Sequence, residues 1–152
     1  MTSVYTDDIY SMFLGYVKDN DLLVKKEYIA NEFMSEWLKK AYSKPYVRRL
    51  FSSINCDEES LSFELKQSSS DEDADNDFVV DIMALGMVIS WLSPIVRNKV
   101  NLSQLFTGKE QKFYSQSAHI EQLRGVLEDA TLEQRRLIQD WGYIYNSYLE
   151  ES

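Results

Sequence analysis

The sequence predicts a mainly α protein, a helical bundle that ends in an antiparallel αα-hairpin and carries a small β-hairpin next to an acidic loop. Three observations lead there. Residues 78–98 carry Val79, Ile82, Met83, Leu85, Met87, Ile89, Trp91 and Leu92 around most of the helical circumference, as in a helix covered on all sides. Leu137, Trp141, Ile144 and Tyr148 repeat at spacings of four, three and four, the seam of an antiparallel helical neighbour. Leu61, Phe63 and Leu65 alternate with Ser62, Glu64 and Lys66, which is strand period.

The elements follow in order. Ile9, Phe13, Tyr16 and Val17 lie at helical spacing from about Thr6 to Val17, with Asp7 and Asp8 in the first turn, where carboxylates suit the helix dipole. Asp21 is placed to cap a longer helix from Leu22 to about Tyr42, whose apolar stripe is Leu22, Val24, Tyr28, Ile29, Phe33, Trp37 and Leu38. Pro45 marks its end. KPYVRRLFSSI reads as a third short helix or as irregular chain, and Val47 to Ile54 is the only nearby partner for the strand 60–66. Asp77 can cap the apolar helix from Phe78 to about Asn98, in which Gly86 gives up about 1 kcal/mol of helix propensity relative to Ala and so points to a close backbone approach. After the polar stretch NKVNLSQLFTG, a helix from Lys109 to Ala130 shows Phe113, Ile120, Leu123 and Leu127 on one face. Thr131 with Gln134 then reads as a capping box opening a last helix to about Leu149.

Length and charge bound the class. A chain of 152 residues fits a single domain, 1–152, and buries a sizeable core without disulfides or metal. Its formal charge of −9 argues against a general nucleic-acid binder, because affinity for phosphate backbones comes from Lys and Arg releasing counterions. The charge is concentrated: from Asp57 to Asp81 ten acids face one base, Lys66, and the rest of the chain has fifteen of each sign. The domain therefore divides into N-terminal helices with a basic patch (1–56), an acidic segment and loop (57–77) and a helical part (78–150). Cys56 is the sole cysteine, which excludes an internal disulfide and suits a reducing compartment. MTSVYTDDIYSMF has no basic n-region or unbroken apolar core of a secretory signal. The apolar run 78–96 is interrupted by Asp81, two serines and Pro94, and reads as a buried helix in preference to a membrane span.

Site chemistry is sparse. Asp71, Asp73, Asp75 and Asp77 fall at positions 1, 3, 5 and 7 of a calcium loop, yet position 6 is Asn76 where glycine is needed and position 12 is Ile82 where a bidentate Glu closes the shell. The run SSSDEDADND is read instead as a solvated acidic loop held open by like charge. His119 is the one histidine, with no second His or Cys to complete a metal site, and reads as structural or surface. Neither Cys56 nor any serine lies in a nucleophile context, and no phosphate-binding glycine motif is present. The expectation is no catalytic, cofactor or metal residue. One pattern remains: Lys39, Lys40, Lys44, Arg48 and Arg49 place five bases and no acid in eleven residues, interleaved with Tyr42 and Tyr46. They are either a solvated helix end, where Lys suits the C-terminal dipole, or a docking patch for an acidic surface, such as nucleic acid, another protein or segment 57–81 of a neighbouring copy. The twenty aromatic residues, ten of them Tyr, suit interfaces as well as cores.

The C-terminal half carries a resemblance. DFVVDIMALGMVISWLSPIVRNKVNLSQLF, then GKEQKFYSQSAHIEQLRGVLEDA and RRLIQDWGYIYNSYL, resemble small virion proteins of tailed bacteriophages, of the neck or head-to-tail connector kind, over residues 77–149. The resemblance implies a non-enzymatic, mainly helical adaptor, assembled in the bacterial host cytoplasm into a homo-oligomeric ring in the virion. Its implied partners are the portal and the tail or other neck proteins, with genomic DNA passing through unread and neither cofactor nor membrane involved. On that reading Lys39, Lys40, Lys44, Arg48 and Arg49 are candidate subunit-interface residues. Asp71, Glu72, Asp73, Asp75 and Asp77 are candidate channel or partner-facing acids, which would repel phosphates from a channel wall. A rival class is an acidic phage-encoded regulator or DNA mimic that binds a basic host protein.

Overall fold

One helix, α4 in chain order, is wrapped by nearly everything else. The structure is a computed structural model of the chain and describes residues 2–19, 31–97 and 116–144. Its elements are β1 (Thr2–Tyr5), α1 (Thr6–Asp19), α2 (Asn31–Ser43), α3 (Pro45–Arg48), β2 (Phe51–Cys56), β3 (Ser60–Leu65), α4 (Glu72–Arg97) and, last, α5 (Gln116–Ile144). The protein is mainly helical with a small antiparallel sheet, as its sequence pattern implies.

The apolar circumference of α4 explains its place. Val79, Ile82, Met83, Ala84, Met87 and Leu92 are fully enclosed, with α1, α2 and α5 packed along its sides and β1 at its N-terminal end. By length and composition α4 could cross a membrane, but 67% of its most apolar window is buried inside the protein, as in a core helix. Ile9, Phe13 and Val17 of α1 are buried as their spacing requires. Phe13 meets Trp91 edge-on at 5.7 Å and Trp37 of α2 at 5.6 Å, and Trp37 lies 6.0 Å from Trp91, so three helices share one aromatic cluster. The part of the second helix expected from Asp21 to Ala30, with Leu22, Val24, Tyr28 and Ile29, lies outside the described residues, as do 98–115 and 145–152.

Gly86 behaves as its position in an apolar helix suggests. A Cβ there would stand 2.7 Å from Ala41 Cβ of α2 and 3.1 Å from Gln134 Nε2 of α5, so two helices converge on this one residue. Gln134, itself buried, donates from Nε2 to the Ile82 carbonyl at 2.8 Å, a polar clamp at the crossing.

The expected break at Ala130–Thr131 is absent: α5 is one helix of 29 residues. Thr131 Oγ1 donates back to the Leu127 carbonyl at 2.8 Å, the mid-helix option for threonine, and Gln134 reaches α4 instead of folding back onto its own helix. The two apolar stripes read as separate helices are one seam, Leu123, Leu127, Ala130, Gln134, Leu137 and Trp141, at alternating spacings of four and three. The antiparallel helical pair of the C-terminal half is accordingly α4 with α5: Phe78 stacks on Trp141 at 4.2 Å, and Ile82 is bridged by Gln134.

The sheet has the order β1-β3-β2, antiparallel throughout. The hairpin expected for residues 47–66 is present with its first strand displaced, because Pro45 starts the short α3 and only Phe51 onward pairs with β3. Asp57 closes its turn by accepting the N–H groups of Glu59 and Ser60 on Oδ1 at 2.9 and 2.8 Å. β1 was not anticipated. It joins through Thr2–Phe63 to Tyr5–Ser60 pairing, and Thr6 fixes the junction by donating its N–H to the Glu59 carbonyl and its hydroxyl to the Glu58 carbonyl, both at 3.0 Å.

Candidate interaction surfaces

The basic residues lie close together in the chain, at the end of α2 and around α3. Lys39 and Lys40 end α2, Lys44 joins it to α3, and Arg48 and Arg49 follow; all five are exposed. Among the described residues the ion pairs are Arg124–Glu121 and Arg136–Glu133, each within one turn of α5, so none of the five bases is neutralised. Arg48 also donates from Nη1 to the Phe51 carbonyl at 3.3 Å. Tyr42 and Tyr46 are half-buried between them, and burial pushes both phenols up.

Two further bases join this face. Arg135 of α5 opposes the upward shift of Tyr46, and Lys66 lines, with Arg49, a groove of about 400 Å³ floored by Leu50, Leu65 and Trp141. In the sequence Lys66 is the lone base of an acidic segment; Arg135 has no local signal, because the register of α5 on α3 is a tertiary property.

The acidic run requires a correction. Only Ser68 to Asp71 lie outside regular structure, and α4 does not begin at Phe78: Glu72 to Asp77 form its first turns. Asp71 is the cap, accepting the Asp73 N–H on Oδ1 at 3.0 Å, and carboxylates in a first helical turn are favoured by the dipole. Asp75 points inward, 7% exposed, and its Oδ1 accepts the Ser69 N–H at 2.9 Å and the Ser69 hydroxyl at 2.8 Å. Asp75 is therefore no channel- or partner-facing acid in this fold, and Asp71 is committed to the cap. Glu72, Asp73 and Asp77 are exposed. The alternate carboxylates that suggested a calcium loop are spread around a helix axis, where they cannot converge on one ion. Among the described residues no group of three His, Cys, Asp or Glu side chains is arranged to hold a metal.

Asp77 lies instead with Asp8 and Asp81 along a groove of about 610 Å³ between β1, α1 and α4. Asp81 is half-buried there, and burial, then Asp77 and Glu133, push its carboxyl above the usual range. Cys56 is half-buried on β2; burial and Asp57 push its thiol up, away from the thiolate a nucleophile needs. His119 lies on α5, with its side-chain surroundings outside the described residues.

The fold and these surfaces define a helical protein with a small flanking sheet and segregated charge. No protein-family model matches the sequence, no curated protein matches it, and no solved structure matches its fold.

Proposed function

We propose that this chain is a non-enzymatic structural subunit of a tailed-phage virion, one copy in an oligomeric ring that joins the portal or head to the tail around the DNA channel. The observation that carries the reading is the separation of charge that forms no ion pair among the described residues: Lys39, Lys40, Lys44, Arg48 and Arg49 on the α2–α3 surface, and Glu72, Asp73 and Asp77 at the start of α4. Two complementary patches on one molecule suit head-to-tail contacts, which close into a ring when the rotation allows. The resemblance of residues 77–149 to connector proteins supports the same reading.

The test is mass spectrometry of mature particles, where several copies per virion are expected; absence from purified particles, with capture of a basic host protein instead, would favour the acidic regulator or DNA mimic. The ring contact is tested separately. Arg48→Glu with Arg49→Glu should impair assembly, and reversal of Glu72, Asp73 and Asp77 to Lys should restore part of it. Unimpaired assembly would reject this contact while leaving particle membership intact.

A further inference from the structure

β1 has one strand neighbour, β3, and its other edge meets no strand among the described residues. The register tells which groups stand there. Thr6 N–H bonds the Glu59 carbonyl, and Val4 pairs with Leu61 and Thr2 with Phe63, so the even-numbered residues turn their backbone groups toward β3. Ser3 N–H and C=O and Tyr5 N–H therefore point out of the sheet. The groove of about 610 Å³ runs beside them. A groove on a strand's face collects every second residue, whereas Ser3, Val4 and Tyr5 all line this one, as a groove along the edge requires.

The opposite wall comes from α1 and α4. Met12 and Val80 supply apolar surface, and Asp8, Asp77 and Asp81 supply three carboxylates, none of which forms an ion pair among the described residues. On the same wall Asn76 Oδ1 is enclosed with no hydrogen-bond partner among the described residues. The other edge of the sheet differs. At the start of β2 the outward Phe51 carbonyl is taken by the Arg48 guanidinium, a charged cover that discourages pairing.

We propose that the groove is a strand-addition site: an extended segment of a partner protein, carrying lysine or arginine at alternate positions, hydrogen-bonds along Ser3 and Tyr5 and sets its cations against Asp8, Asp77 and Asp81. Outward strand-edge groups select an extended chain, and clustered carboxylates select cations. Lys39, Lys40 and Arg48 of a second copy do not fit, because they sit on α2 and α3, where helical backbone groups are already bonded. The inference goes beyond the ring reading: it shares Asp77 with the proposed ring contact, whereas Ser3, Tyr5, Asp8 and Asp81 belong to the groove alone.

The probe is a short peptide alternating lysine and threonine, with two controls: the same peptide with glutamate for lysine, and one with N-methyl groups on alternate amides. Saturable binding to the full chain at or below about 1 mM is expected for the lysine peptide alone. Amide exchange should slow at Ser3 and Tyr5. Asp77→Asn with Asp81→Asn should weaken binding about tenfold with the circular dichroism unchanged. Absence of saturable binding, equal binding by the N-methylated peptide or by the double variant, or protection confined to α2 and α3 would each overturn the proposal. Self-association of the free chain that the lysine peptide blocks would assign the groove to a second copy, and would overturn the choice of partner.

Discussion

α4 changes surroundings partway along its length. From Glu72 to Asp81 it carries five carboxylates, and of the ten residues only Asp75, Phe78 and Val79 are buried; from Ile82 to Ile95 every residue except Ile89, Ser93 and Pro94 is buried. The first stretch is held by local polar bonds, with Asp71 capping the helix and Asp75 tied to Ser69. The second is held by packing, with Gly86 allowing α2 and α5 to approach. A helix apolar at one end and acidic at the other needs both supports. Their strengths differ, because close packing tolerates no added volume while an exposed cap contributes on its own.

The sharpest way to break the comparison lies in the packed stretch. Gly86→Val should cost about 3 kcal/mol in urea unfolding, since its side chain would overlap Ala41 and Gln134. Gly86→Ala should cost less, and Ala41→Gly in the same molecule should restore part of the loss. In the acidic stretch, Asp75→Ala should cost about 2 kcal/mol, because the part-buried Ser69 N–H and hydroxyl both lose their acceptor. Asp71→Ala should cost about 1 kcal/mol through the lost cap, visible as a small fall in the unfolding midpoint. If Gly86→Ala and Asp71→Ala proved equal in effect, the contrast between packed and capped halves would fail.

Asp81 sits at the boundary, and its substitution has the opposite sign. Burial, Asp77 and Glu133 disfavour its charge, and Asp8 of α1 lines the same groove. A carboxyl whose folded pKa is raised destabilises the fold at neutral pH. That cost is absent below about pH 4, where the unfolded chain also holds the proton, and grows as pH rises through the folded value. Asp81→Asn should therefore raise the thermal midpoint at pH 7, with the gain shrinking to nothing as pH falls below about 4. A stabilising substitution that at the same time removes peptide binding would mark Asp81 as kept for contact with another molecule.

Much of the bundle was legible because its signal is periodic. Ile9, Phe13 and Val17 define the buried face of α1, and Leu61, Phe63 and Leu65 the buried face of β3. Gly86 announced a close approach because glycine in an apolar helix interior has few other uses. What misled were residues with two local options. Thr131 and Gln134 fit a capping box, but both have helix-interior uses once a neighbouring helix offers the Ile82 carbonyl. The run from Ser68 to Asp77 reads as a solvated acidic loop, yet from Glu72 it is helix, because carboxylates are the residues a helix N-terminus accepts best. β1 is four residues long, and its pairing with β3 is non-local, so no window of sequence reveals it. The same holds for the groove and for the addition of Lys66 and Arg135 to the basic face.

The pairing of β1 with β3 also orders events in time. β2 and β3 are joined by a short turn and can pair within microseconds, whereas setting Thr2 opposite Phe63 closes a loop of about sixty residues and carries the entropy cost of that closure. The hairpin can form while β1 is still free; β1 seats when the chain returns to it. Until then the outer edge of the two-stranded sheet belongs to β3, and the groove has no strand wall. A segment that binds along β1 would thus discriminate between a completed subunit and one still folding.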